Sequence, residues 1–188
     1  MRGFRGLRAA WRLHTWIGLS ALVLAGCQIP KKGFRCEAPP PIHLTILAGE
    51  NLNPSDRGEP LPTRVKILQV SNLTKVDSLE SKDFWDKAAD KLGADLLFQE
   101  DLTIDPGERN ARWVNRLGPT NYIVAGALFR KPEGYSWRAV VSLLPVSEVD
   151  CPLEAPPPRL GEPLPKDTMV VFSLQRFTID GSVVGAKR

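Results

Sequence analysis

The chain has 188 residues, 43% of them hydrophobic, and its 25 basic and 21 acidic side chains leave a formal charge of +4. That excess lies in the first 26 residues, where Arg2, Arg5, Arg8 and Arg12 face no acid, so the 162 residues that follow carry 21 charges of each sign. A neutral body lacks the basic footprint of nucleic-acid binding, and its length and apolar content suit one domain with a full core.

Behind the arginines, Trp16 to Ala25 is apolar apart from Gly18 and Ser20, and Leu24-Ala25-Gly26 precedes Cys27. Charge, apolar core and small residues in that order predict a secretory signal over 1–26. As a helix the apolar stretch would rise only about 15 Å, half of a ~30 Å hydrocarbon core, which argues against a permanent span. Leu-Ala-Gly-Cys resembles the bacterial lipobox, which implies cleavage before Cys27 and a covalent lipid on its thiol. Gln28, in place of an inner-membrane retention Asp, implies the periplasmic face of the outer membrane. The alternative is ordinary secretion with Cys27 incidental.

Lipidation of Cys27 leaves Cys36 and Cys151, which in an oxidising compartment are expected to form one bridge; two separate thiols are the alternative. Residues 27–41, with Lys31, Lys32 and Pro39-Pro40-Pro41, read as a lipidated tether. From Cys27 to Cys36 it reaches at most about 30 Å.

A single domain is expected over 42–188. Alternation of Ile42, Leu44 and Ile46 with His43, Thr45 and Leu47 predicts a strand over 42–48. The turn-forming stretch 49–62 predicts a long exposed loop, and a second strand follows at 63–71. The period then changes: Phe84, Ala88 and Leu92, with Ser81 as N-cap and Gly93 as stop, predict one helix over 82–92 inside an insertion at about 77–93. Asp83 and Lys87 are spaced to pair on its solvated face. Two half-exposed strands are expected around 96–104 and 112–117. Tyr122 to Phe129 is apolar on both sides, as in a central strand, and Trp137 to Leu144 is its hairpin partner. The Pro-rich stretch 145–167 is a long loop, and strands close the chain at 168–174 and 176–184. About eight strands and one inserted helix argue a β-sandwich.

Catalytic chemistry has little support in these residues. His43 is the one histidine after the signal, and there is no CxxC, HxxxH, G-x-S-x-G, P-loop or dinucleotide glycine pattern, so no metal, no cofactor beyond the lipid and no enzyme are expected. Glu100, Asp101 and Asp105 read as capping and solubilising groups rather than a glycosidase pair. Trp113 and Trp137 are expected to point into the core.

Leu52-Asn53-Pro54, Gly58-Glu59-Pro60-Leu61-Pro62, Phe84-Trp85, Leu92-Gly93, Pro106-Gly107, the strand Tyr122 to Arg130 and Trp137-Arg138-Ala139-Val140-Val141 occur in that order behind the lipobox. Over roughly residues 24–144 the chain resembles the TssJ (SciN-like) outer-membrane lipoproteins of type VI secretion systems. The resemblance implies a transthyretin-like sandwich of two four-stranded sheets with a helical insertion. It also implies a role without turnover, binding the periplasmic C-terminal region of the IcmF-like protein TssM. In that family the loop between the first two strands contributes to the contact. Here it would offer Asn51, Leu52, Asn53, Pro54, Asp56, Arg57, Glu59 and Leu61, with Leu52 and Leu61 as apolar anchors. The Cys36/Cys151 pair and the 145–167 stretch depart from the family's simpler pattern. The competing reading is a periplasmic β-sandwich lipoprotein that inhibits a hydrolase or binds a small ligand.

Overall fold

The computed structural model describes residues 36, 39–146, 151 and 169–184. The signal, most of the tether and most of the Pro-rich stretch lie outside the described residues.

Eight strands form two four-stranded sheets, in the orders β4-β1-β7-β8 and β3-β2-β5-β6. β1 (Ile42–Ala48) buries Ile42, Leu44 and Ile46 on its inner face, as its alternation predicts. It lies between β4 (Arg109–Val114), antiparallel, and β7 (Met169–Gln175), parallel. β8 (Thr178–Val183) completes this sheet beside β7. In the second sheet β2 (Thr63–Val70) lies between β3 (Leu96–Ile104) and β5 (Tyr122–Ala127), and β6 (Arg138–Ser142) flanks β5. The architecture is the transthyretin-like sandwich.

β2 and β5 are buried on both faces because the second sheet is covered twice. Val65 and Ile67 meet the opposite sheet, while Lys66, Leu68 and Val70 lie under a helical layer. That layer differs from the single helix expected. It consists of α1 (Thr74–Asp77), α2 (Ser81–Asp86) and α3 (Ala88–Leu92), followed by a 3-10 turn at Gly93–Asp95. Glu80, not Ser81, precedes α2. The chain breaks at Lys87, with φ −138° and ψ 22°. At the break lies Lys66, which is 3% exposed and donates from Nζ to the carbonyls of Phe84 (3.4 Å) and Trp85 (2.9 Å). Those carbonyls would serve residues 88 and 89 in a continuous helix. The break lets Phe84 lie against Gly126, where a Cβ would collide with its ring. Asp83 consequently pairs with Lys91 at 3.2 Å rather than with Lys87, and Gly93, at φ 56°, ends α3 as expected.

β6 and β8 pack together along one side of the sandwich. Along the other side, Arg112 of β4 and Glu100 of β3 reach across the open edge and pair at 2.8 Å. Charges pointing inward from edge strands protect such an edge against unwanted strand pairing.

Candidate partner-binding surface

The chain enters β1 at one end of the sandwich, and the 49–62 loop leaves from the other. At about 3.4 Å per residue, the 7 residues of β1 separate the two ends by about 24 Å. At the entry end Cys36 is joined to Cys151 with a Cα–Cα distance of 5.6 Å, across 115 positions of sequence. Cys36 also lies against the β4–β5 connection, where a Cβ on Gly118 would come 2.7 Å from its carbonyl oxygen.

The 49–62 loop has a buried base and an exposed tip. Leu52 is 0% exposed and belongs to the core, not to a surface that a partner meets. Pro54 is buried, as is Asn53 at 4%. Asn53 adopts φ 45°, donates its N–H to the Arg176 carbonyl at 2.6 Å and accepts from the Arg130 N–H on Oδ1 at 2.8 Å. One residue thereby ties the loop to the β5–β6 connection through its side chain and to the β7–β8 connection through its backbone N–H. Leu61 is half-buried, and its N–H closes the neck on the Leu52 carbonyl at 3.0 Å. Above the neck, Ser55 Oγ accepts from the N–H groups of Arg57 (3.2 Å) and Glu59 (3.1 Å), and Gly58 turns at φ 84°. Asn51, Asp56, Arg57 and Glu59 face solvent.

Asp56 is held by Lys131 at 2.8 Å and Arg130 at 3.1 Å. Hydrogen bonds from those two cations keep its carboxyl below the usual carboxylate range. Leu128 (46% exposed) and Tyr135 (67%) stand at the same end and offer the apolar area that Leu52 does not. Sequence reading does not single out these four: it places Leu128 and Arg130 at the end of the strand from Tyr122, which in the structure stops at Ala127, and Lys131 and Tyr135 in the turn beyond it. Their proximity is set by the Asn53–Arg130 bond, 77 positions apart.

Residues considered for catalysis are dispersed. His43 stacks edge-on against Trp113, with ring centroids 5.1 Å apart, and among the described residues its Nδ1 has no hydrogen-bond partner. Trp113 faces outward and is 39% exposed, contrary to the inward expectation, because register places it beside His43 on the sheet's outer surface. Trp137 is buried at 3% and packs edge-on against Phe84. Glu100 is engaged with Arg112, and Asp101 with Arg64 at 2.7 Å. A groove of about 400 Å³ at the open edge is lined by Phe98, Glu100, Arg112, Trp113, Val114, Asn115 and Leu117. It brings in one carboxylate and not His43. Among the described residues, no cluster of His, Cys, Asp or Glu is arranged for a metal ion, and no helix is long and apolar enough to cross a membrane.

The fold is a two-sheet β-sandwich with a loop buttressed by neighbouring connections at one end. The chain belongs to the type VI secretion lipoprotein family (T6SS-SciN; VasD, EvfM, TssJ, VC_A0113), whose model matches residues 40–155. That family is a secretion-system lipoprotein, not a known enzyme family. The fold is similar to that of the T6SS lipoprotein TssJ1 from Pseudomonas aeruginosa, with TM-score 0.62 and 21% identity over 79% of this chain and 99% of that one. A chain of a structure described as a type VI membrane complex matches with TM-score 0.59 and 22% identity, covering 77% of this chain and 98% of that one. A chain of a structure described as the T6SS protein TssM C-terminal domain from EAEC matches with TM-score 0.56 and 23% identity, covering 77% and 98%. No curated protein sequence matches.

Proposed function

We propose that this protein is a non-catalytic outer-membrane lipoprotein of the type VI secretion membrane complex, and that its loop end holds the periplasmic C-terminal region of TssM. In this reading residues 1–26 are removed, Cys27 carries the lipid on the periplasmic face of the outer membrane, and 27–41 tether the domain. No cofactor takes part. The supporting observation is polarity. The tether enters beside the Cys36–Cys151 bridge, and the charged tip lies at the far end on a base fixed by Asn53. A lipid-held domain then projects its tip away from the membrane. A preordered tip also loses little freedom on docking.

The burial of 52–54 determines the experiment, because scrambling the whole loop would remove Leu52 from the core. The triple change Asp56→Lys, Arg57→Glu, Glu59→Lys reverses the tip charges and leaves the base intact. Affinity for the TssM C-terminal region, measured by calorimetry, should fall about tenfold or more, equivalent to about 1.4 kcal/mol, with unchanged circular dichroism. A folded triple variant that binds as well as the parent would remove the loop from the interface. Mass spectrometry of the mature protein should find diacylglycerol on an N-terminal Cys27; a free Cys27 thiol would overturn the anchor.

A further inference from the structure

Five of the eight large hydrophobic side chains exposed among the described residues lie at the tether end: Phe98, Trp113, Leu117, Leu144 and Val184. Isolated surface hydrophobics are ordinary, and contiguity is what carries meaning. Phe98, Trp113 and Leu117 share the lining of the open-edge groove. Arg116 connects the β4–β5 segment to Leu144, donating to its carbonyl at 3.0 Å. On the other side the row continues across the first sheet: Trp113 is opposite His43, His43 is opposite Met169, and the Met169 carbonyl accepts from the Val184 N–H at 3.0 Å. The apolar residues thus form a partial rim around the end where Cys36 is bridged to Cys151 and packed against Gly118.

We propose that this rim is a membrane-contacting face, with Trp113, Phe98 and Leu117 resting in the headgroup region of a phospholipid bilayer. The proposal rests on the reading of Cys27 as the lipid anchor. Two observations select a bilayer as the occupant. From a lipidated Cys27 to Cys36 the chain spans at most about 30 Å, which holds this end near the surface. An indole with an apolar body and a polar N–H suits the membrane–water boundary.

The lipidated chain would be reconstituted into vesicles of phosphatidylethanolamine and phosphatidylglycerol containing acyl-brominated lipid, and tryptophan emission recorded. Bromine should quench a component that Trp113→Phe removes and Trp85→Phe retains; the aromatic replacement keeps the stacking on His43. Vesicle-held protein whose quenching is the same with and without Trp113 would overturn the proposal. To separate this from failure of the anchor, the chain from residue 28, which contains all the described residues, is also tethered by an N-terminal histidine tag to nickel-chelating lipid. Quenching of Trp113 there supports the face even if mass spectrometry finds Cys27 unmodified. Self-association through the rim without lipid, abolished by Leu117→Ser in sedimentation velocity, would overturn the bilayer in favour of a second copy.

Discussion

Lys66 shows how one side chain shapes a layer of the fold. Its ammonium is buried and serves two carbonyls at the end of α2, with Asp101 at 3.9 Å as its nearest carboxylate. Replacing it with Met keeps most of the volume and leaves both carbonyls short of a donor. Lys66→Met is expected to cost about 2 kcal/mol, read as a lower urea midpoint with an unchanged slope. Asp56 makes a different residue-level prediction. Its pairing with Lys131 and Arg130 lowers its folded pKa, so any stability it contributes is present above its unfolded pKa and lost as pH falls through the lower folded value. NMR titration of its carboxyl carbon should give a midpoint below an unperturbed aspartate, moving back up in Lys131→Ala. Neither role is legible locally. The alternation of β2 marks Lys66 as one face of a strand without saying that helices cover it, and Asp56 reads as an exposed loop residue offered to a partner without saying that Lys131 and Arg130 hold it.

At the scale of the element, the 49–62 loop is an outgrowth of the core more than a flexible connection. Leu52 packs inside, and Asn53 holds φ 45° while satisfying the Arg130 N–H. Asn53→Gly keeps the backbone conformation and loses the hydrogen bond, at about 1 kcal/mol. Asn53→Ala also strains the backbone, for a total of about 2 kcal/mol or more. Thermal unfolding should rank parent, Gly and Ala in that order, and the reverse order for the two variants would refute the account. Turn composition made the loop's existence and exposed tip evident. It concealed the base, because loops are read as polar by default and Leu52 is one apolar residue without a periodic partner. The helical layer was legible in its apolar spacing, with Ala88 and Leu92 buried as expected. The break at Lys87 and the separate α1 were not.

At the scale of the whole molecule, the Cys36–Cys151 bridge closes a loop spanning 115 positions, for which chain entropy gives an upper figure of roughly 4 to 5 kcal/mol. Reduction, or the double change Cys36→Ala and Cys151→Ala, should lower the urea midpoint while leaving the far-ultraviolet spectrum at low denaturant unchanged. The helical layer and both sheets share one continuous core, so unfolding should remain a single transition.

Sequence by itself determined the inner face of β1, the two-sided burial of β5 and the resemblance to type VI secretion lipoproteins. Period-two alternation and ordered motifs are local properties that survive without knowledge of neighbours. Only the tertiary structure decided that Trp113 looks outward, that Leu52 is core and that the loop end and tether end are opposite poles. Those outcomes depend on registers and hydrogen bonds between distant residues, such as His43 with Trp113 and Asn53 with Arg130, which no single segment encodes.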